Sequence, residues 1–345
     1  MIQLYGSEIY NDYAEDIHWI RGKILEETSL FPEEVLSIVN YYIRQRLIII
    51  PTKAKKTRGI MFDYELGRPV PYAVFWFADA FGYNNKQVVR ELGLGLVYSA
   101  IVTTIRDDLI DNEASCDSRC IGLMHYYNHR YFEIFESLFD KNSSFWYYLT
   151  ESISEVSRYE RWNLLIREDN ITEPFSEQFL HESSRYFSAV VFPSFAALAV
   201  LVGAEEKIPV IRNWLKYFSM GWRVYDDFCD WKRDLSIKKY NNSSILLSTA
   251  NTLSVEKRLD IEDVYNMFLD PNFINNAYHA ILHFYDKARL EIAPLNNYYL
   301  NKFMKEQIHF HTKRRDLVLK RSNESREKII DELRKTLQPI FSARY

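Results

Sequence analysis

Two clusters of aspartates stand at the ends of apolar stretches of this sequence. The first cluster, Asp107, Asp108 and Asp111, follows the apolar run from Leu92 to Ile105. On a helix, a spacing of three or four residues places Asp107 and Asp108 each beside Asp111. Such carboxylates repel one another unless cations neutralise them, and their hard oxygens suit Mg²⁺, which also binds water and substrate phosphate. The cluster predicts a magnesium site, with a solvated helix end as the alternative.

The second cluster, Asp226, Asp227 and Asp230, also follows an apolar stretch and continues to Asp234. Because Asp226, Asp230 and Asp234 are four residues apart, they form one stripe that climbs about 6 Å per step along a helix. Two acidic stripes at the ends of two apolar helices predict two walls of one pocket, with an apolar floor and a metal-lined mouth. We therefore predict that the aspartates of both clusters are metal ligands.

The helices that must position these clusters are indicated by a scarcity of turn-forming residues. The 345 residues include 10 glycines and 10 prolines, with no glycine between Gly122 and Gly203. A sheet protein needs a turn signal every few residues, so long stretches without one favour helices joined by few loops. Apolar positions recur every three or four residues in 92–110 and 210–225, as on one face of a packed helix. We predict an all-α fold with a single domain spanning residues 1–345.

Charge and cysteine content limit the partners and the compartment. The net charge of -4 arises from 43 basic and 47 acidic residues spread along the chain, which gives no basic surface for nucleic acid. Three cysteines make an odd number, and no charged-then-apolar leader precedes them, so we expect a cytoplasmic protein. The apolar run from Phe187 to Ala204 contains Ser188, Pro193 and Ser194, which favours a buried helix over a membrane span.

With both clusters in view, the chain resembles the class I isoprenoid synthase superfamily, which includes trans-isoprenyl diphosphate synthases and class I terpene cyclases. The resemblance covers roughly Gly67 to Arg315. The two clusters are similar to the two Asp-Asp-x-x-Asp motifs of chain-elongating synthases. Read with Arg233 and Asp234, the second also resembles the cyclase metal triad, which has ligands four residues apart and a basic residue before the last. The resemblance implies a terpenoid synthase-like helical bundle around a deep apolar pocket with three Mg²⁺ ions at its acidic mouth.

The basic residues of the family are matched unevenly. Arg185 lies where cyclases carry a diphosphate-sensing arginine, and Arg314 and Arg315 lie where bacterial cyclases carry an Arg-Tyr pair. Together with Arg233 and Lys238, these residues are the diphosphate ligands that the resemblance implies. The basic positions that elongating synthases use for isopentenyl diphosphate are thinned to Arg68 and Arg119, with the Lys53 to Arg58 loop as an alternative source of charge. This imbalance favours cyclisation over elongation.

Aromatic side chains would shield and stabilise an allylic cation after the diphosphate leaves. Trp222 stands one turn before Asp226, and Phe192 two turns after Arg185. For each aromatic residue, ordinary core packing is the alternative. The small residues before the first cluster would leave room for a substrate of roughly 15 to 25 carbon atoms, as they do in the family. The predicted pocket comprises Phe75, Tyr98, Thr103, Phe192, Trp222 and Phe310, with Phe77, Ser99 and Ala100 as further candidates.

We therefore predict a class I terpene synthase that ionises a linear isoprenyl diphosphate with Mg²⁺ and cyclises the cation. The alternatives are a chain-elongating synthase, a soluble prenyltransferase that alkylates an aromatic acceptor, and a non-catalytic subunit of a partner synthase. Homodimers are common in the family, although no helical stripe identifies an interface here. No Ser/His/Asp or Cys/His arrangement has credible catalytic spacing, and His309 and His311, two residues apart on a helix, face different ways.

Overall fold

The computed structural model describes residues 9, 12–33, 35, 36, 38, 70–110, 117–165, 173–236, 243–253 and 259–342. These residues form α-helices and short 3₁₀ helices, with no strand among them, which confirms the all-α prediction. Several predicted features lie outside the described residues: the Lys53 to Arg58 loop, Arg68, Asp111 and Lys238.

The described α-helices are numbered here in chain order. They are α1 (Ala14–Thr28), α2 (Val70–Ala80), α3 (Lys86–Ile110), α4 (Arg119–Leu138), α5 (Phe145–Leu165), α6 (Glu177–Leu201), α7 (Ile208–Ser236), α8 (Ser244–Leu253), α9 (Ile261–Met267), α10 (Pro271–Ile292) and α11 (Tyr298–Ser342). Asp107 and Asp108 of the first cluster are at the end of α3, and the second cluster lies on α7. Both positions agree with the apolar helices that the sequence predicts.

The chain divides into two compact units. Unit 1 comprises residues 1–158, 185–216 and 288–306, and unit 2 comprises residues 159–184, 217–287 and 307–345. A single domain over residues 1–345 stays a prediction.

In unit 1, α3 is the central helix, and it packs against α1, α2 and α4. Its apolar residues, such as Leu92 and Leu96, are fully buried. At Gly93 the helices approach closely, because a Cβ placed there would lie 2.8 Å from the Cδ1 atom of Ile20 on α1. The close packing explains why a 25-residue helix with weak amphipathic character is stable at this position.

Two helices, α3 and α6, are long and apolar enough to pass a length-and-composition test for membrane spans, among the residues searched. In each of them, 61% of the most apolar 18-residue stretch is buried inside the protein, as in the core helix of a folded domain. The run from Phe187 to Ala204, which is apolar in the sequence, falls largely on α6, and α3 is a second apolar helix of this length. The residues of α3 from Lys86 to Leu109 pass the same test, because the valine, leucine and isoleucine residues among them keep the mean hydropathy high.

In unit 2, the helices α7 and α10 meet at Gly221. A Cβ at this position would lie 2.9 Å from two ring carbons of Tyr285 and 3.2 Å from the carbonyl oxygen of Ile281. Real Cβ atoms do not come so close to other atoms, and the carbonyl belongs to the backbone of α10. Glycine is therefore required here so that the tyrosine ring can lie against α7.

We expect Gly221→Ala to lower the free energy of unfolding by about 1–3 kcal/mol, because the added methyl group overpacks a filled contact. The matched control is Gly122→Ala on α4, where a Cβ would meet nothing within 4 Å. That substitution should raise the free energy of unfolding by up to about 1 kcal/mol, since alanine is the better helix former. Urea unfolding measures both changes, and equal effects at the two sites would contradict the close contact at Gly221.

Candidate active site

The acidic stripe of unit 2 is defined by Asp226, Asp230 and Asp234, and all three lie half-buried on α7. The helix runs unbroken through these positions, so the four-residue spacing places the three carboxylates along one line. Arg233 is also half-buried, one residue before the last carboxylate. The stripe is therefore a row of partly accessible oxygens with a cation beside it.

Asp227, the remaining aspartate of this cluster, lies inside the protein. Its side chain is 2% exposed, and one of its oxygens accepts hydrogen bonds from the backbone N–H and the hydroxyl of Ser244, each at 2.7 Å. The other oxygen pairs with Arg223 at 2.9 Å. Burial raises the pKa of Asp227 to about 6, although Arg223 and Ser244 oppose the shift. Because both oxygens are occupied, we assign Asp227 to anchoring the start of α8 and leave it out of the proposed metal ligands.

Arg223 is a cation that the sequence reasoning missed. Burial disfavours its charge, but Asp227, together with Asp226 and Asp234, outweighs that effect and raises the pKa of Arg223. The guanidinium therefore stays charged beside the acidic stripe. Its spacing of four residues before Asp227 was the signal that could have identified the pair.

A closed circuit of ring contacts in unit 2 lies beside the stripe. The distances between ring centroids are 6.5 Å for Phe218–Trp222, 6.2 Å for Trp222–Tyr225, 4.5 Å for Tyr225–His311, 5.0 Å for His311–Tyr285 and 5.4 Å for Tyr285–Phe218. We call this group the aromatic ring set, and its members, in order, are Phe218, Trp222, Tyr225, His311 and Tyr285, with Phe310 packed against Tyr225 and His311. The set joins α7, α10 and α11. Two of the predicted pocket residues, Trp222 and Phe310, belong to it.

Arg314 lies on α11, three residues after His311. Its charge lowers the pKa of Tyr225, Cys229 and Tyr278, although burial raises all three more strongly. Arg314 is therefore close to the face of α7 that carries the ring set. Arg315, in contrast, pairs with its neighbour Asp316 at 2.9 Å. Of the two arginines that the resemblance implies, Arg314 is the one near the ring set, and its role in binding diphosphate stays a prediction.

In unit 1, the two described aspartates of the first cluster differ in exposure. Asp107 is exposed and Asp108 is fully buried, near the end of α3. Thr103, one turn earlier on the face of Asp107, donates a hydrogen bond from its hydroxyl to the Ser99 carbonyl at 2.7 Å. Asp107 is thus the accessible carboxylate of the described pair.

Tyr98 has a different environment from Thr103. It stands nine residues before Asp107, which at about 100° per residue places the two on opposite faces of α3. The Tyr98 hydroxyl donates to Glu27 at 2.6 Å, and Glu27 also pairs with Arg130 at 2.9 Å. Because its hydroxyl is engaged in this network, we leave Tyr98 out of the proposed pocket.

Two other predicted pocket residues of unit 1 also make internal contacts. Phe75 is 4% exposed, and its ring lies 5.3 Å from that of Tyr13. Phe192 has the guanidinium of Arg212 over its ring at 4.1 Å, so a cation already covers one of its faces. The roles of Phe75 and Phe192 in a pocket stay predictions.

Arg185, the predicted diphosphate sensor, is held by Glu155 of α5. The distance between its Nη1 atom and the Glu155 carboxylate is 3.1 Å, and the side chain of Arg185 is 16% exposed. The other oxygen of Glu155 accepts from Arg158 at 2.6 Å. Glu155 therefore joins two arginines of unit 1 and fixes the orientation of Arg185.

Solved structures of known enzymes share this helical architecture. The chain is similar to a polyprenyl synthase from Roseobacter denitrificans, with a TM-score of 0.61, 12% identity, and coverage of 89% of this chain and 98% of that one. It is also similar to a polyprenyl synthase from Caulobacter crescentus complexed with calcium and isoprenyl diphosphate, with a TM-score of 0.64, 13% identity, and coverage of 89% and 97%. The chain has a class I isoprenoid synthase-like fold. No protein-family model and no curated protein matches its sequence.

The acidic stripe carries carboxylates, whose hard oxygens are suitable ligands for a magnesium ion. In the part of the chain that is described, no group of three or more His, Cys, Asp or Glu side chains is arranged to hold a metal by itself. Mg²⁺ usually needs only one or two protein carboxylates, because water and substrate phosphates fill its other positions. A row of half-buried carboxylates with cations nearby therefore suits Mg²⁺ bound together with a diphosphate.

Proposed function

We propose that this protein is a class I terpene synthase, which ionises a linear isoprenyl diphosphate and cyclises the resulting cation. The observation that carries the proposal is the sharing of α7 by the acidic stripe and the aromatic ring set. One helix thus presents groups suited to a diphosphate and groups suited to a carbocation. The fold supports the proposal, since a structural neighbour is complexed with calcium and isoprenyl diphosphate.

In the proposed mechanism, Asp226, Asp230 and Asp234 of unit 2 would hold Mg²⁺. Asp107 and Asp108 of unit 1 are proposed as metal ligands from the family resemblance alone, which also implies three ions. When bound, Mg²⁺ neutralises the diphosphate and makes it a better leaving group.

The other steps of the proposed mechanism use arginine and aromatic side chains of the protein. Arg314 and Arg233 bind the diphosphate oxygens through charge-assisted hydrogen bonds, and we assign the same role to Arg185, oriented by Glu155. The ring set then shields the cation from bulk solvent and stabilises the positive charge through the faces of its rings. No side-chain nucleophile is required, because the substrate ionises and its own double bonds attack the cation.

The second candidate function is chain elongation, which the similarity to two polyprenyl synthases favours. In that reaction the cation adds to isopentenyl diphosphate, so a second set of basic residues must bind a second diphosphate. The sequence retains few residues for that task, namely Arg68 and Arg119. In the structure, Arg119 forms an exposed ion pair with Asp117 at 2.6 Å. A prenyltransferase that alkylates an aromatic acceptor is the third candidate.

The remaining parts of the proposal concern partners and location. We propose a soluble cytoplasmic enzyme with no nucleic-acid partner, and a homodimer is compatible with the family resemblance. The burial of most of both apolar helices supports solubility. Cys120 and Cys229 are free thiols, as a reducing compartment would keep them.

We expect the full chain with Mg²⁺ to convert one of the geranyl, farnesyl, geranylgeranyl and geranylfarnesyl diphosphates into a cyclic terpene. Gas chromatography with mass spectrometry detects the product, and liquid chromatography detects any longer diphosphate. Turnover should not require isopentenyl diphosphate and should stop when the metal is chelated. If the only product were a longer diphosphate made with isopentenyl diphosphate, the chain would be an elongating synthase. Turnover only with an added indole or phenol would make it an acceptor prenyltransferase.

A further inference from the structure

Two polar atoms within the aromatic ring set need a ligand. The Tyr285 hydroxyl and the Nδ1 atom of His311 are both buried, and among the described residues neither has a hydrogen-bond partner. The two side chains are at most 1% exposed, and their ring centroids are 5.0 Å apart. Buried polar groups in proteins are almost always hydrogen-bonded, to protein or to an ordered water. Two such atoms on rings that contact each other therefore form a candidate site for one bound polar molecule.

The two groups have complementary hydrogen-bonding properties. Burial, with the nearby charge of Arg314, lowers the pKa of His311 to about 3, so its imidazole is neutral and one ring nitrogen accepts a hydrogen bond. Burial also raises the pKa of Tyr285, which therefore keeps its O–H donor. A water molecule can accept from the tyrosine and donate to the histidine at the same time.

The polar pair lies close to the groups proposed for ionisation. The charge of Asp226 contributes to the raised pKa of Tyr285, so the two residues are within electrostatic reach. The His311 ring also contacts Tyr225, the residue before Asp226, at 4.5 Å. A phenylalanine at position 285 would fill the same volume with no unpaired hydroxyl, so apolar packing does not explain the tyrosine.

We propose that Tyr285 and His311 hold one water molecule that ends the reaction by adding to the carbocation, so that the product is a cyclic terpene alcohol. In this step the water oxygen forms a bond to the cationic carbon with one of its lone pairs. The oxonium ion then gives its extra proton to Nδ1 of His311, which leaves a neutral alcohol. The imidazolium, strongly disfavoured by burial, gives the proton to solvent water when the product leaves. The chemical part of this inference rests on the proposed function.

The first test is the source of the product oxygen. In water enriched in ¹⁸O, the wild-type chain should release a cyclic alcohol heavier by 2 mass units. In Tyr285→Phe and His311→Phe, which keep aromatic rings in place, the ratio of alcohol to hydrocarbon should fall at least tenfold. The matched control is Tyr131→Phe on α4, a buried tyrosine outside the ring set, which should leave the ratio unchanged. Thermal unfolding of each variant checks that it is folded.

The second test needs no turnover. A high-resolution crystal structure of the full chain, or a nuclear Overhauser contact between water and the His311 ring, should reveal one long-lived water at the pair in wild type and none in Tyr285→Phe. If the wild-type chain released only cyclic hydrocarbon, the water-addition step would be overturned and the proposed function would remain. An unchanged ratio of alcohol to hydrocarbon in Tyr285→Phe and His311→Phe would have the same meaning. Absence of any turnover would overturn the proposed function, and the water site would then stand or fall on this structural test alone.

Discussion

Replacing Asp226 by asparagine should reduce the turnover of the isoprenyl diphosphate by at least about 10³-fold, which corresponds to roughly 4 kcal/mol of transition-state stabilisation. The change keeps the shape of the side chain but removes a negative charge from the acidic stripe. Asparagine is a weaker ligand for a hard cation, and it leaves the charge of Arg223 less compensated. Asp230→Asn should have an effect of the same order, because Asp230 is the next carboxylate of the stripe. Steady-state release of diphosphate measures both effects.

The control for these variants is Glu327→Gln, which removes an exposed carboxylate of unit 2 on α11. It should leave turnover within about twofold of wild type, since surface substitutions away from special features have small effects. Calorimetric titration with Mg²⁺ and inorganic diphosphate adds a second measure, and binding should be lost in Asp226→Asn but kept in Glu327→Gln. Unchanged turnover in both stripe variants would remove the metal role of α7 from the mechanism.

The stripe itself was predictable because its geometry is local. Asp226, Asp230 and Asp234 share a face through helical periodicity alone, and the helix was indicated by the apolar pattern before it. The same argument could have separated Tyr98 from Asp107, since nine residues bring a helix to its opposite face. The hydrogen bond between Tyr98 and Glu27 of α1 depends on helix packing, which periodicity does not report.

The roles of Asp227 and His311 depend on distant residues, which periodicity does not report. Ser244 follows Asp227 by 17 positions, across residues that end one helix and begin another. His311 meets Tyr225 and Tyr285, which lie on α7 and α10, so its environment is a result of helix packing. In the sequence, His311 is distinguished only by its spacing of two residues from His309. Predicting such contacts requires the order and spacing of helices in space.

A second large effect is expected on stability, from Arg223→Met. The substitution keeps an unbranched apolar side chain but leaves Asp227 buried with no cation beside it. Removing one partner of a buried ion pair typically costs about 3–5 kcal/mol, because the remaining charge has lost its water and its counter-charge. The free energy of unfolding, from urea titration, should fall by that amount. Arg158→Met, at a side chain that is 66% exposed, should change stability by only about 0.5 kcal/mol.

A double variant separates the charge of Asp227 from its hydrogen bonds. In Arg223→Met combined with Asp227→Asn, no charge remains to be buried, and the asparagine carbonyl oxygen can still accept from the Ser244 N–H. The double variant should therefore recover at least half of the stability that Arg223→Met loses. Asp227→Asn alone should be destabilising as well, because it leaves the partly buried Arg223 without its carboxylate. If the double variant were no more stable than Arg223→Met, the arginine would contribute through packing of its stem. If Arg223→Met lowered the free energy of unfolding by less than about 1 kcal/mol, water would reach Asp227 in solution.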